Sequence, residues 1–241
     1  LLQDTVSASL PLIRKRADHN LWLGVRLISH TNVLGAMVIL VSSQTAVSHH
    51  ADADLLDFVA QHMAVAIERK ELLARLQHSA LYDELTGLPK RELFYDRCRQ
   101  AMAQAQRHQC QLAICYLDLD GFKPVNDQFG HSVGDDILQQ VAQRLIQNVR
   151  QADTVARFGG DEFVILLNEV DSAEQAVVAA EKILQSFSTS FQLPSLSLTI
   201  TASIGVVCAA AATLSTEPLL AMADQAMYRA KQLGGNRCIQ G

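Results

Sequence analysis

"RFGGDEFVILL", residues Arg157 to Leu167, decides how this chain is read. An arginine–aromatic pair and two glycines lead into two adjacent acids and then a run of β-favouring apolar residues, the pattern of a tight hairpin between strands. Gly159 and Gly160 permit positive φ and let the backbone approach a ligand closely. A plain turn has no need of Asp161 and Glu162 at its tip, because neighbouring carboxylates repel. Their placement asks for a partner that relieves the crowded charge, such as a metal ion.

Upstream, "LAICYLDLD" from Leu112 reads as a buried strand ending in Asp118 and Asp120, which lie two apart and so share a face. A carboxylate on a buried strand carries a large desolvation cost. If Asp118 and Asp161 converge they form an all-oxygen site, which suits hard Mg²⁺ held by one or two carboxylates plus substrate phosphates. Between these acids lies "DGFKPVNDQFGHSVGDD". Gly121 and Phe122 can turn backbone N–H groups toward an anion, and Lys123 adds a point charge for phosphate. There is no GxxxxGK[ST], so this is not a P-loop. Asn126 offers donor and acceptor, while Asp135 accepts only. Together they match the Watson–Crick edge of guanine, whose N1 and N2 donors adjoin the O6 acceptor. Asp136, alone, reads as a surface charge or a helix cap.

With 241 residues, 49% of them apolar, the chain can bury a sizeable core and is expected to hold more than one domain. A net charge of −5 gives no general basic field for nucleic acid or an anionic membrane, so a nucleotide needs a local cationic pocket. No window holds the roughly 18 uninterrupted apolar residues of a membrane span, and "VLGAMVILV" from Val33 to Val41 has strand length. The chain opens on Leu1 with no signal-peptide pattern, so a fragment of a longer protein is expected. Five cysteines without CxxC pairing fit a reduced cytoplasmic compartment. The basic cluster in "PLIRKRAD" reads as a solvated face.

Residues 21 to 43 predict two antiparallel strands around "SHTN". From Asp52 to Ala80 the absence of Gly and Pro predicts one long helix. Leu55, Val59, His62, Ala66, Arg69, Leu73, Leu76 and Ala80 fall at alternating four- and three-residue steps on it. Such a seam suits a two-stranded coiled coil, imperfect at His62 and Arg69, or else a helix packed on its own domain. "YDELTGLPKREL" from Tyr82 breaks the helix. Helices at 90–107, 134–149, 172–188 and 216–232 then alternate with the Leu112 strand, a hairpin at 155–168 and a strand in "LSLTITASIGVVC". That order predicts an α/β sheet with helices over a face.

The assembled residues resemble the GGDEF family of diguanylate cyclases, through "DELTGLPKR", "DLDGFKPVNDQFGHSVGDDIL", "RFGGDEF", "SIGV" and "ADQAMYRAKQLGGNR" in that order over about Asp83 to Arg237. The resemblance implies a palm-type nucleotidyl cyclase domain, a ferredoxin-like α/β sheet, that makes cyclic di-GMP from two GTP molecules held by two facing subunits. It implies that Asp118 and Asp161 bind the metal, Mg²⁺ or Mn²⁺, with the carbonyl of Leu119. Asn126 and Asp135 would read guanine, while Phe122, Lys123 and Lys231 hold phosphates. Asp161 and Glu162 would assist deprotonation of the attacking 3′-hydroxyl. Two departures stand out: Gly235 occupies the place of a triphosphate-gripping arginine, and Lys90 that of an asparagine.

"RQAD", Arg150 to Asp153, matches the family's RxxD product-inhibition site, with Asp153 at the family's interval before Gly159 and Lys182 where a second basic contact is often found. Residues 1–70 resemble the closing part of a GAF sensor domain, with 71–82 a helical linker and 83–241 the cyclase domain. The expected protein is cytoplasmic, takes GTP and cyclic di-GMP, binds no nucleic acid, and forms a homodimer through the linker helix and the facing active sites. The alternative is a GGDEF domain that no longer turns over and serves as a receptor for cyclic di-GMP or GTP.

Overall fold

The computed structural model describes residues 12–15, 21–29, 32–41, 49–193, 196–210 and 215–241. They divide into two compact units, Leu1–His78 and Ser79–Gly241.

In the first unit, β1 (Leu12–Lys15), β2 (Leu21–Ser29) and β3 (Asn32–Val41) form an antiparallel sheet in that order. The two strands expected around "SHTN" are β2 and β3, and β1 is an addition. The rest of the basic cluster lies outside the described residues. The long helix α1 runs from His49 to Leu81. Leu56, Ala60 and Ala64, at i, i+4 spacing, pack on Leu23, Val25 and Leu27 of β2. This stripe is not the predicted seam, whose Leu55, Val59, Leu73 and Leu76 are all exposed.

In the second unit the elements are α2 (Arg91–His108), β4 (Gln111–Asp120), α3 (Phe122–Phe129), α4 (His131–Asn148), β5 (Thr154–Gly159), β6 (Glu162–Val170), α5 (Ala173–Ser186), β7 (Phe191–Gln192), β8 (Ser197–Leu198), β9 (Thr201–Ala210), α6 (Thr216–Gln232) and β10 (Arg237–Gln240). The five-stranded sheet has the order β10-β9-β4-β6-β5. β9, β4, β6 and β5 have the 4-1-3-2 arrangement of a ferredoxin-like βαββαβ unit. β10 joins the outer edge parallel to β9, after the crossover through α6.

β4 lies at the centre, antiparallel to both neighbours and buried from Leu112 to Leu119. Its run is continuously apolar because both faces are covered, not one as expected. Odd-numbered residues Ala113, Cys115 and Leu117 meet α4 and α5, while Leu112, Ile114 and Tyr116 meet α2 and α6. Gly205 of β9, beside Tyr116, lets α6 come down onto the sheet: a Cβ there would fall inside the backbone at Ala223 and Met227.

One helix was hidden. α3 occupies a stretch that Gly121 and Pro124 made look like a loop, but Pro124 sits in the first turn, where its missing N–H costs no helical bond. α4 begins at His131, three residues before the expected start. Among the described residues no helix is long and apolar enough to cross a membrane.

Candidate active site

The site gathers at the end of β4. β6 begins at Glu162, paired with Asp118, so beyond that pair β4 has no neighbour on the β6 side, and Leu119 stands at this open edge. Gly159 and Glu162 close a two-residue turn of Gly160 and Asp161, with Gly160 at φ 51°. The turn brings Asp161 and Glu162 into the electrostatic field of Asp118.

Asp118 is buried, its side chain 9% exposed. Burial pushes its carboxyl up to about 6, helped by Asp161 and Glu162 and opposed by the Lys231 ammonium. That ammonium, from the last turn of α6, stands 2.5 Å from Oδ1. The contact lacks the directionality of a hydrogen bond, and Oδ1 is a buried oxygen with no hydrogen-bond partner. Asp120 is the opposite case. Thr201 Oγ1 and Ser203 Oγ each donate to it at 2.7 Å, and the Asn236 N–H donates at 2.8 Å. Both acids lie on the α6 face, as their spacing requires, but only Asp118 has binding capacity left.

Among the described residues no three His, Cys, Asp or Glu side chains stand close enough to hold an ion by themselves. An open, two-carboxylate set fits Mg²⁺, which keeps several waters and shares its shell with phosphates. The Oδ1 of Asp118, met by no hydrogen bond and only by the part-exposed Lys231 ammonium, is the observation that makes the fit specific.

Phe122 and Lys123 form the first turn of α3, directly after Gly121 at φ 72°. The Phe122 ring is buried, so what it can present to an anion is its backbone N–H at the helix start. Asn126 is packed against Gly134, the residue before Asp135: a Cβ at Gly134 would overlap its amide and come within 3.2 Å of Phe122 Cζ. The α3–α4 turn therefore brings Asn126 against the residue that precedes Asp135 in α4.

Gly235, at φ 71°, rests against Asp120, and a Cβ there would come within 2.8 Å of the carboxylate. The departure from arginine has a local reason: the loop passes too close to Asp120 for a side chain without rearrangement. Arg237 Nε donates to the Gly235 carbonyl at 3.1 Å, folding back along that loop. Lys90 reaches the Ser79 carbonyl with Nζ at 2.7 Å, a structural tie.

Three contributors escaped the sequence reading. Tyr116 donates its hydroxyl to Glu162 Oε2 at 3.0 Å. Burial, with the Glu162 charge beside it, pushes the phenol up, so it stays a donor. Arg157 donates from Nε and a terminal nitrogen to the Gly160 carbonyl at 3.0 and 2.8 Å, and from the other to Asp83 Oδ1 at 2.9 Å. Asp83 also accepts from the Thr86 side chain and N–H. Burial works against its charge, but these bonds prevail and hold its carboxyl below the usual range. The "RFGG" arginine thus clamps the hairpin tip to the "DELT" turn. These partners are far apart in the chain, and only the motif letters hinted at them.

On the opposite side of the domain, Arg150, Asp153 and Lys182 line one cavity of about 380 Å³ with Asn148, Asn168 and Gln175. Asp153 is fastened there: Oδ2 accepts from the Arg150 N–H and Oδ1 from the Asn168 N–H, at 2.8 and 2.9 Å.

Residues 80–237 match the family model "Diguanylate cyclase, GGDEF domain". The chain is 38% identical over 221 residues to the bifunctional diguanylate cyclase/cyclic di-GMP phosphodiesterase MucR of Pseudomonas aeruginosa, covering 92% of this chain and 31% of that protein. It is 39% identical over 166 residues to the diguanylate cyclase TpbB of the same species, covering 68% and 38%. The chain therefore spans about a third of the length of these two relatives. Among solved structures it is similar to the GGDEF domain of TpbB, at TM-score 0.64 and 35% identity over 66% of this chain and 93% of that one. It is also similar to the coiled coil and GGDEF domain of DgcB from Caulobacter crescentus in complex with c-di-GMP, at 0.69 and 27% over 78% and 99%. The chain belongs to the GGDEF diguanylate cyclase family.

Proposed function

We propose that the chain condenses two GTP molecules into cyclic di-GMP with release of pyrophosphate. The observation that carries the reading is Asp118: a buried carboxylate whose Oδ1 has an ammonium but no hydrogen bond, in the field of Asp161 and Glu162. Asp118, Asp161 and the Leu119 carbonyl hold Mg²⁺, with Mn²⁺ able to replace it. When bound, the ion supplies Lewis acidity at the α-phosphate and makes the 3′-hydroxyl more acidic. Asp161 and Glu162 help remove that proton, with Tyr116 fixing the Glu162 carboxylate. Asn126 and Asp135 read guanine, and the start of α3, Lys123 and Lys231 hold phosphates. Positioning and charge neutralisation carry most of the rate enhancement.

Each subunit holds one GTP, so the reaction needs two facing copies in a cytoplasmic homodimer that binds no nucleic acid. The exposed seam of α1 supports pairing through the linker helix. Residues 1–70 are the closing part of a GAF-like sensor domain, 71–82 a linker and 83–241 the cyclase domain. Product returns to the cavity of Arg150, Asp153 and Lys182 and inhibits; Arg150 can grip phosphate with two bonds.

Gly235 in place of the arginine favours one second reading, a receptor for cyclic di-GMP or GTP without turnover. Incubating the purified chain with GTP and Mg²⁺ and resolving the products separates the two. Cyclic di-GMP is expected; its absence under conditions where the chain is dimeric would leave the receptor.

A further inference from the structure

Lys231 is the charge that Asp118 meets in place of hydrogen bonds. Its ammonium lies 2.5 Å from Oδ1, an oxygen that has no other partner, whereas Asp120, two residues on, is satisfied three times by its own neighbours. We propose that Lys231 is an exchangeable counter-ion: its ammonium must leave Asp118 before a divalent cation can bind there, and the incoming triphosphate is what receives it. The inference rests on the reading of Asp118 as a metal ligand.

A Mg²⁺–oxygen contact is about 2.1 Å. On one oxygen an ammonium and a dication would stand roughly 4 Å apart and repel strongly in a site largely closed to water, so ion binding favours the arrangement in which one partner yields. Asp118 is fixed in a central strand with its side chain 9% exposed, while that of Lys231 is 37% exposed on the last turn of α6. The lysine is the side that can swing, and α6 itself is held at its depth by Gly205. The buried carboxylate therefore keeps a counter-charge in the resting protein, and metal alone must displace it without offering the lysine a new anion. Metal arriving with a triphosphate supplies both replacements, a dication for Asp118 and phosphate oxygens for Lys231. Metal and nucleotide binding are then positively linked through one side chain, and by reciprocity each tightens the other.

Calorimetric titration of Mn²⁺ into the whole chain, without nucleotide and then with a non-hydrolysable GTP analogue, tests this. Lys231→Met is expected to bind Mn²⁺ alone about tenfold more tightly than the unaltered chain, with the enhancement by nucleotide reduced to match. Arg229→Met removes the same charge from the same turn of α6 without touching Asp118, and its Mn²⁺ affinity should not move. The counter-ion role is overturned if Lys231→Met binds Mn²⁺ no more tightly than the unaltered chain, if neither binds it measurably, or if Arg229→Met behaves as Lys231→Met does. Asp118→Ala should remove the Mn²⁺ signal. Its persistence would instead overturn the reading of Asp118 as a ligand, a failure distinct from the others.

Discussion

Asp118 and Asp120 sit on one strand, on one face, two residues apart, and the protein treats them oppositely. Asp120 is locked by two hydroxyls and a backbone N–H, so it joins β9 and the loop after α6 to the end of β4. Asp118 keeps a buried oxygen without a hydrogen bond and has a carboxyl raised by burial and by neighbouring acids. One acid is spent on the fold, and the other is held back at a cost in stability. Asp153 falls with Asp120: both its oxygens are engaged, which leaves Arg150 and Lys182 as the charged groups in its cavity that can address a ligand.

The largest effect should come from the hairpin tip. Asp161→Ala is expected to lower turnover of GTP at least ~10³-fold while the thermal unfolding midpoint stays close to that of the unaltered chain. Retained cyclase activity would remove Asp161 from the reactive group of acids. The contrast within β4 is broken most simply by stability. Asp120→Ala strands three donors and should cost about 3 kcal/mol in urea denaturation. Asp118→Asn removes a buried charge and should cost nothing, or gain about 1 kcal/mol. Equal losses would mean that both carboxylates are structural.

Gly205→Ala should cost about 2 kcal/mol by overpacking β9 against α6. It should also disturb nucleotide binding, because α6 carries Lys231. A stable variant with unaltered GTP affinity would show that the depth of α6 is unimportant to the site.

A smaller, signed effect follows from pH. A carboxyl raised from 3.8 to about 6 favours the folded, metal-free protein when protonated. Its stabilising contribution is full below about pH 4 and fades as the pH rises toward 6, while Mn²⁺ affinity should climb through the same window. Asp83 has the opposite sign, since its carboxyl is lowered. Its contribution is present above 3.8 and is lost as the pH falls through its lower folded value. Asp118→Asn should flatten the first trend alone, as read by denaturation between pH 4 and 7. Arg150→Ala is expected to raise the cyclic di-GMP concentration needed for half-inhibition about tenfold with uninhibited turnover unchanged; an unchanged inhibition curve would detach that cavity from feedback.

Much of this was legible in the sequence. An unbroken apolar run ending in Asp118 is a buried central strand, and two glycines before two acids make a hairpin tip whatever the rest of the chain does. The difference between Asp118 and Asp120 was not legible, because it depends on Thr201 and Ser203, which reach β4 only through the β9 register. α3 was obscured because Gly121 and Pro124 are turn signals everywhere except at a helix start, which is where they stand. β10 is four residues long at the sheet edge, too short to carry a period of its own. Arg157 was visible as a residue, but its grip on Gly160 and Asp83 joins segments that only the fold brings together.

The account turns on one oxygen of Asp118 and one of Asp161 sharing an ion. A crystal structure with Mg²⁺ and a non-hydrolysable GTP analogue measures this directly. Both carboxylates are expected at about 2.1 Å from a common ion that also touches the triphosphate, with the Lys231 ammonium moved from Asp118 onto phosphate. An ion bound by neither acid, or two carboxylates facing separate surroundings with the nucleotide elsewhere, would contradict it.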